Sequence, residues 1–206
     1  MGCASKGCVI PSSRRSIAGR GRSTVPNGEL RRHPDLVRCH PCAMATVCEA
    51  AGGPDGVLAL AGAWHARVMA DEVVAHAFSH GFHPQHTERL AAYWVEALGG
   101  PPGYSEAYGD ETSVVRMHSG NGPHEDMDRR AIGCFDDALV DVGLDADDRL
   151  RQALHDYFAW TTTTTMSRFH DSADDVPNGL RIPQWSWDGL VGGTDLGDIA
   201  THDSGR

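Results

Sequence analysis

Residues 117–130, MHSGNGPHEDMDRR, put a histidine at the end of one helical segment and a helix start just beyond it. Ser119, Gly120, Asn121 and Gly122 stop the helix that precedes His118, and Pro123, Glu125 and Asp126 suit the first turn of the next. His118 therefore stands at a corner of the chain, where one imidazole can be aimed at a fixed point. His65 lies inside an apolar helical stripe with Val57, Leu58, Ala61, Trp64, Val68 and Met69, and His86 shares a face with Leu90, Tyr93, Trp94 and Ala97. A single histidine on an apolar face is ordinarily a hydrogen-bonded core residue. Three on three different elements ask for a common partner.

Metal chemistry has several candidates. HAFSHGFHPQH supplies His76, His80, His83 and His86, although their irregular loop spacing and the absence of a nearby Cys or carboxylate fit zinc poorly. HED at 124–126 opens like a metalloprotease signature, but Asp128 stands where the second histidine would be. CHPC at 39–42 is followed by Ala43 rather than by the histidine that c-type haem attachment requires. A zinc site from Cys3, Cys8, Cys39 and Cys42 would have to form in chain with no periodicity. Cys134 falls on a helical stripe as a small core hydrophobe, and the cysteines read as free thiols of a reducing compartment.

The elements that must position these histidines are helical almost throughout 46–168. One long helix starts near Pro54-Asp55, and a short piece over Glu72–Ala77 leads to Phe78. A second helix runs from Pro84 to the GGPPG at 99–103, and a poorly periodic loop follows as far as Val114–His118. Two more helices carry Met127, Ala131, Cys134, Phe135, Ala138 and Val142, then Leu150, Leu154, Tyr157, Phe158 and Thr161. The threonines at 161–165 favour strand by propensity, but the stripe entering them keeps them helical. No strand alternation interrupts this core, so the fold class is all-α.

Charge divides the chain. Residues 1–43 hold eight Lys/Arg against two acids, and the remaining 163 hold ten against 26. An acidic body excludes nucleic acid as the main partner, and no apolar run reaches the ~20 residues of a membrane span. The basic head, 1–43, reads as disordered and dispensable for folding. MGCASK misses the myristoylation signal at Lys6, and no secretory segment follows. Residues 44–170 form the helical domain. The acidic extension, 171–206, is expected to be irregular, with Trp185 and Trp187 as its reason to fold back on the core.

AAGGPDG (50–56), HTERLAAYWVEALGGPPGYSEAYG (86–109) and VVRMH (114–118), in that order and spacing, resemble the group II truncated haemoglobins, a bacterial globin family. The paired glycines and the Pro-Gly-Tyr-Ser-Glu run are the specific parts. The resemblance implies a short two-on-two helical sandwich holding haem b, with His118 as the proximal iron ligand. It sets Arg89 near the propionates and Tyr104 at the haem edge, with Leu90, Trp94 and Met117 also against the cofactor. His65, Phe78, His86, Leu90 and Ala131 fall on the distal side. The family usually has Tyr in place of His65 and Trp in place of Ala131, so a roomier pocket is expected here, with His65 and His86 as the polar groups. His86, nearer the usual distal position, could donate to a ligand or bind the iron itself. The implied function is reversible binding of O2, NO and CO in the cytoplasm, for oxygen transport or for redox and NO-detoxification chemistry with a reductase partner. The alternative is a non-haem metal-binding helical protein using His76, His80, His83 and His86.

Overall fold

The computed structural model describes residues 44–194; the expectations for the basic head and its cysteine pairs, and for 195–206, lie outside the described residues. Helix α1 (Val47–Ala50) is capped reciprocally: the Thr46 hydroxyl accepts from the Glu49 N–H, and the Glu49 carboxylate accepts from the Thr46 N–H. Gly52, in the left-handed region at φ 90°, then turns the chain into α2 (Gly53–Ala70), which has Pro54 in its first turn. A five-residue 3₁₀ turn, Val74–Phe78, leads towards α3 (His86–Ala97).

The segment expected to be a loop up to Val114 holds two short helices, α4 (Gly103–Ala107) and α5 (Glu111–Met117). Both begin on buried or side-chain caps rather than on an apolar stripe, which is why periodicity misses them. The Glu96 carboxylate accepts from the Tyr104 and Ser105 N–H groups, and the Asp110 side chain accepts from Ser113 N–H. Helix α6 (Glu125–Asp141) starts where the sequence places it, and α7 (Asp148–Trp160) begins on an Asp147 cap and widens into a π turn over Thr161–Met166. The threonines are thus helical.

Helix α2 packs on α3 and α6, and α6 on α7, the two-on-two arrangement expected. At its centre the Trp94 ring meets Trp64, Phe135 and Phe158 edge-on at 5.4–5.8 Å, while Phe135 stacks on Phe158 at 4.2 Å. The second glycine pair closes one corner of this core. A Cβ on Gly100 would lie 2.6 Å from Val95 Cγ1 and 2.9 Å from Cys48 Sγ, so only glycine lets α1 approach the end of α3.

The extension is less irregular than its composition suggests. Gln184–Ser186 (β1) and Gly189–Gly192 (β2) form an antiparallel hairpin turned at Trp187-Asp188, with Trp185 opposite Leu190. Trp185 packs against Tyr157 and Trp160, and the Trp187 indole donates to the Ala45 carbonyl at 2.6 Å. Among the described residues no helix is long and apolar enough to cross a membrane.

Candidate functional site

His118 is the C-cap of α5, the corner its sequence context implies. Its Nδ1 lies 2.8 Å from the Val114 carbonyl, one turn back. A carbonyl only accepts, so Nδ1 carries the proton and Nε2 keeps the lone pair. This is the tautomer of a metal-binding imidazole whose orientation is fixed by its other nitrogen. The residue is exposed, and its ring is held against its own helix by this bond. Desolvation lowers its pKa, outweighing the proton-holding bond to Val114, with smaller opposing contributions from His124 and Asp128. The imidazole is held neutral.

His65 and His86 face each other at 5.0 Å between ring centres, from α2 and the first turn of α3. Phe78 is edge-on to both, at 5.4 and 5.3 Å. His65 Nδ1 and His86 Nε2 are buried and have no hydrogen-bond partner among the described residues. Burial lowers the pKa of both, and the charges of His65 and then His118 push His86 down further. Phe82 completes the aromatic wall, 4.9 Å from His65, although it is half exposed. The sequence reading passes over it, and its only signal is an aromatic set between two histidines of the same loop.

Ala131 is buried at 8% exposure, and the room its small side chain leaves is partly taken by Trp64, whose indole donates to the Ala131 carbonyl at 3.2 Å. Val68, Val74, Phe78, Met127 and Cys134 surround this contact. Leu90 is half-buried beside the same helix face, whereas Trp94 lies at 3% exposure in the central core and Met117 at 72% in solvent. Arg89 reaches the Tyr108 carbonyl at 3.1 Å, stands 5.2 Å over the Tyr108 ring and interacts with the Tyr104 hydroxyl. Tyr108, the third member of this rim, is a residue that sequence reasoning passes over.

The rival histidine cluster does not assemble. His76, His80 and His83 are exposed, and His83 Nδ1 is spent accepting from the Gln85 N–H at 3.0 Å. Among the described residues no three His, Cys, Asp or Glu side chains converge to hold a metal ion. A hollow of about 350 Å³ between α6 and the π turn, lined by Asp128, Arg129, Ser167 and His170, is open and charged and lacks the aromatic walls of the histidine space.

The bacterial-like globin family matches residues 46–165, more than half of the chain. The chain belongs to the bacterial-like globins. Among solved structures, this globin is similar to the group II truncated haemoglobin of Bacillus anthracis, at 19% identity over 62% of this chain and 95% of that one, with a TM-score of 0.52. It is similar as well to the thermostable haemoglobin of the actinobacterium Thermobifida fusca (25% identity, 60% and 98% covered, TM-score 0.50) and to the haemoglobin of Chloroflexus aurantiacus (25%, 60% and 99%, TM-score 0.50). No curated protein matches it in sequence. The resemblance to group II truncated haemoglobins is thus supported by family and by fold. A haem-type cofactor follows from the family, and the residues fit one: a neutral imidazole with a free Nε2 and, on other elements, an aromatic wall with two buried nitrogens that have no partner among the described residues.

Proposed function

We propose that this globin holds haem b through His118 and binds O2, and likewise NO and CO, reversibly on the side lined by His65, Phe78 and His86. One observation carries the reading. The Val114 carbonyl commits the proton of His118 to Nδ1, while His65 Nδ1 and His86 Nε2 wait opposite, buried and unpaired. Haem, when bound, supplies the iron on which a diatomic ligand sits. The chain supplies the rest. His118 coordinates, Phe78 and Leu90 exclude water, and His86, with His65 behind it, donates to the ligand or occupies its place at rest. Arg89, backed by Tyr104 and Tyr108, pairs with a propionate at the rim.

The setting is a cytoplasmic one, in keeping with Cys48 and Cys134 as free thiols, and a reductase partner belongs to the same reading. The purified protein tests it. The reading expects the pyridine spectrum of haem b and a ferrous form whose O2 spectrum reverses on degassing. A colourless protein carrying zinc would return the function to the histidine cluster of 76–86.

A further inference from the structure

The matched globin segment ends at residue 165, and the chain beyond it returns to the helix that carries His118. Helix α5 has only seven residues, too few to be stable on its own. Its outer face is held by the segment 167–180. The Thr112 hydroxyl, nearly buried, accepts from the Leu180 N–H at 3.1 Å and donates to the Pro177 carbonyl at 3.4 Å. Arg116 donates to the Val176 carbonyl at 3.3 Å and to the Asn178 side chain at 3.0 Å. Between these polar grips, Val115 is sealed against Val176, Leu180 and Phe169.

The corner after His118 is gripped as well. The Gly120 and Gly122 N–H groups donate to the Phe169 and His170 carbonyls at 2.9 and 3.0 Å. Gly120 is in the left-handed region at φ 75°, and a Cβ there would press on Ala173 N at 3.4 Å, so the two backbones run in close contact. Ser167 donates to Asp128 at 2.6 Å, and the same carboxylate pairs with His124 Nδ1 at 2.9 Å. Both the helix before His118 and the turn after it are therefore tied to one strap. The ring in turn is tied to the helix through Val114.

We propose that residues 167–180 set the orientation of His118 by clamping α5, with Thr112, Val115 and Arg116 as positioning residues for the iron-binding imidazole, an inference that rests on His118 being the proximal ligand. The strap decides how freely that ring follows the iron. The strap itself lies beyond the residues matched to the family.

Resonance Raman of the ferrous, ligand-free full chain reads the iron–histidine stretch directly. Thr112→Val, Arg116→Met, Asn178→Ala and Leu180→Ala are expected to shift and broaden that band, and to lose haem roughly 3- to 10-fold faster, as loss of one or two hydrogen bonds, or of the Leu180 packing on Val115, implies. Leu190→Ala, in the hairpin half of the extension, lowers the melting temperature and leaves the band in place. A band unmoved in the folded strap variants, or moved as far by Leu190→Ala, overturns the proposal. If Leu180→Ala does not fold, Asn178→Ala decides, since it removes a single exposed partner of Arg116. Amide exchange on the haem-free protein separates the two levels. Unchanged protection of 112–117 in the strap variants refutes the clamp, whereas a five-coordinate ferrous wild type with no iron–histidine band refutes the proximal assignment itself.

Discussion

Hydrogen bonding divides the three histidines into two kinds. His118 has one nitrogen bound to its own helix, and His65 and His86 each bury a nitrogen that nothing among the described residues satisfies. A buried unpaired polar atom costs about 1–3 kcal/mol, so a ligand that accepts from it gains a comparable amount. His86→Leu is therefore expected to speed O2 release by ~5- to 150-fold in stopped flow. His65→Leu should do less, because His86 is the nearer of the two to the family's usual distal position. A change of the ferric spectrum from six- to five-coordinate in His86→Leu would instead make His86 an iron ligand. Arg89→Ala is expected to speed haem loss without altering the ligand spectrum, at a cost of ~1 kcal/mol or less, since its rim is open to solvent. At this scale the histidines were legible from apolar stripes and from the Gly-Asn-Gly break. Phe82 was not, because an exposed loop aromatic obeys no period, and nor was the donation of the Trp64 indole to Ala131.

Between the helices, one buried carboxyl links α3 to α5. Glu111, 2% exposed at the start of α5, accepts from the Tyr93 hydroxyl at 2.9 Å, while its Oε1 has no partner. Desolvation pushes its pKa up to about 7, against the lowering effect of the Tyr93 bond and with help from Asp110 and Glu96. The folded state therefore holds this proton where the unfolded chain, titrating near 4.5, has lost it. Stability from Glu111 is full below pH 4.5 and declines as pH rises to about 7, beyond which the whole penalty is paid. Glu111→Gln keeps an acceptor for Tyr93 and removes that penalty. Denaturant unfolding should find the variant more stable than wild type at pH 8, by on the order of 2–3 kcal/mol, with the gap closing towards pH 4.5. An equal gap at both pH values would show that the carboxyl does not titrate in this window. The long helices were legible because each buries one face. Helices α4 and α5 were not, since their starts are specified by Glu96 and Asp110, carboxylates whose capping role emerges only when the chain has folded round them.

Across the whole molecule, the extension is part of the core rather than an appendage. Trp185 is buried against Tyr157 and Trp160, and Arg149 stands 4.6 Å over the Trp187 ring. Trp185→Ala should destabilise the protein by about 3 kcal/mol or more, seen as a drop in melting temperature, with the iron–histidine band unchanged because the hairpin lies apart from the strap on α5. Two tryptophans in a polar tail made the packing legible in outline; the partners on α7 could not be read from their spacing, because a contact between a hairpin and a helix obeys no sequence period. The central claim is the proposed proximal role of His118, which the proton committed to its Nδ1 supports. Its direct measurement is the absorption spectrum of His118→Gly reconstituted with haem, without and with free imidazole. Loss of stable haem that imidazole restores is the predicted result, and a wild-type spectrum without imidazole would contradict the account.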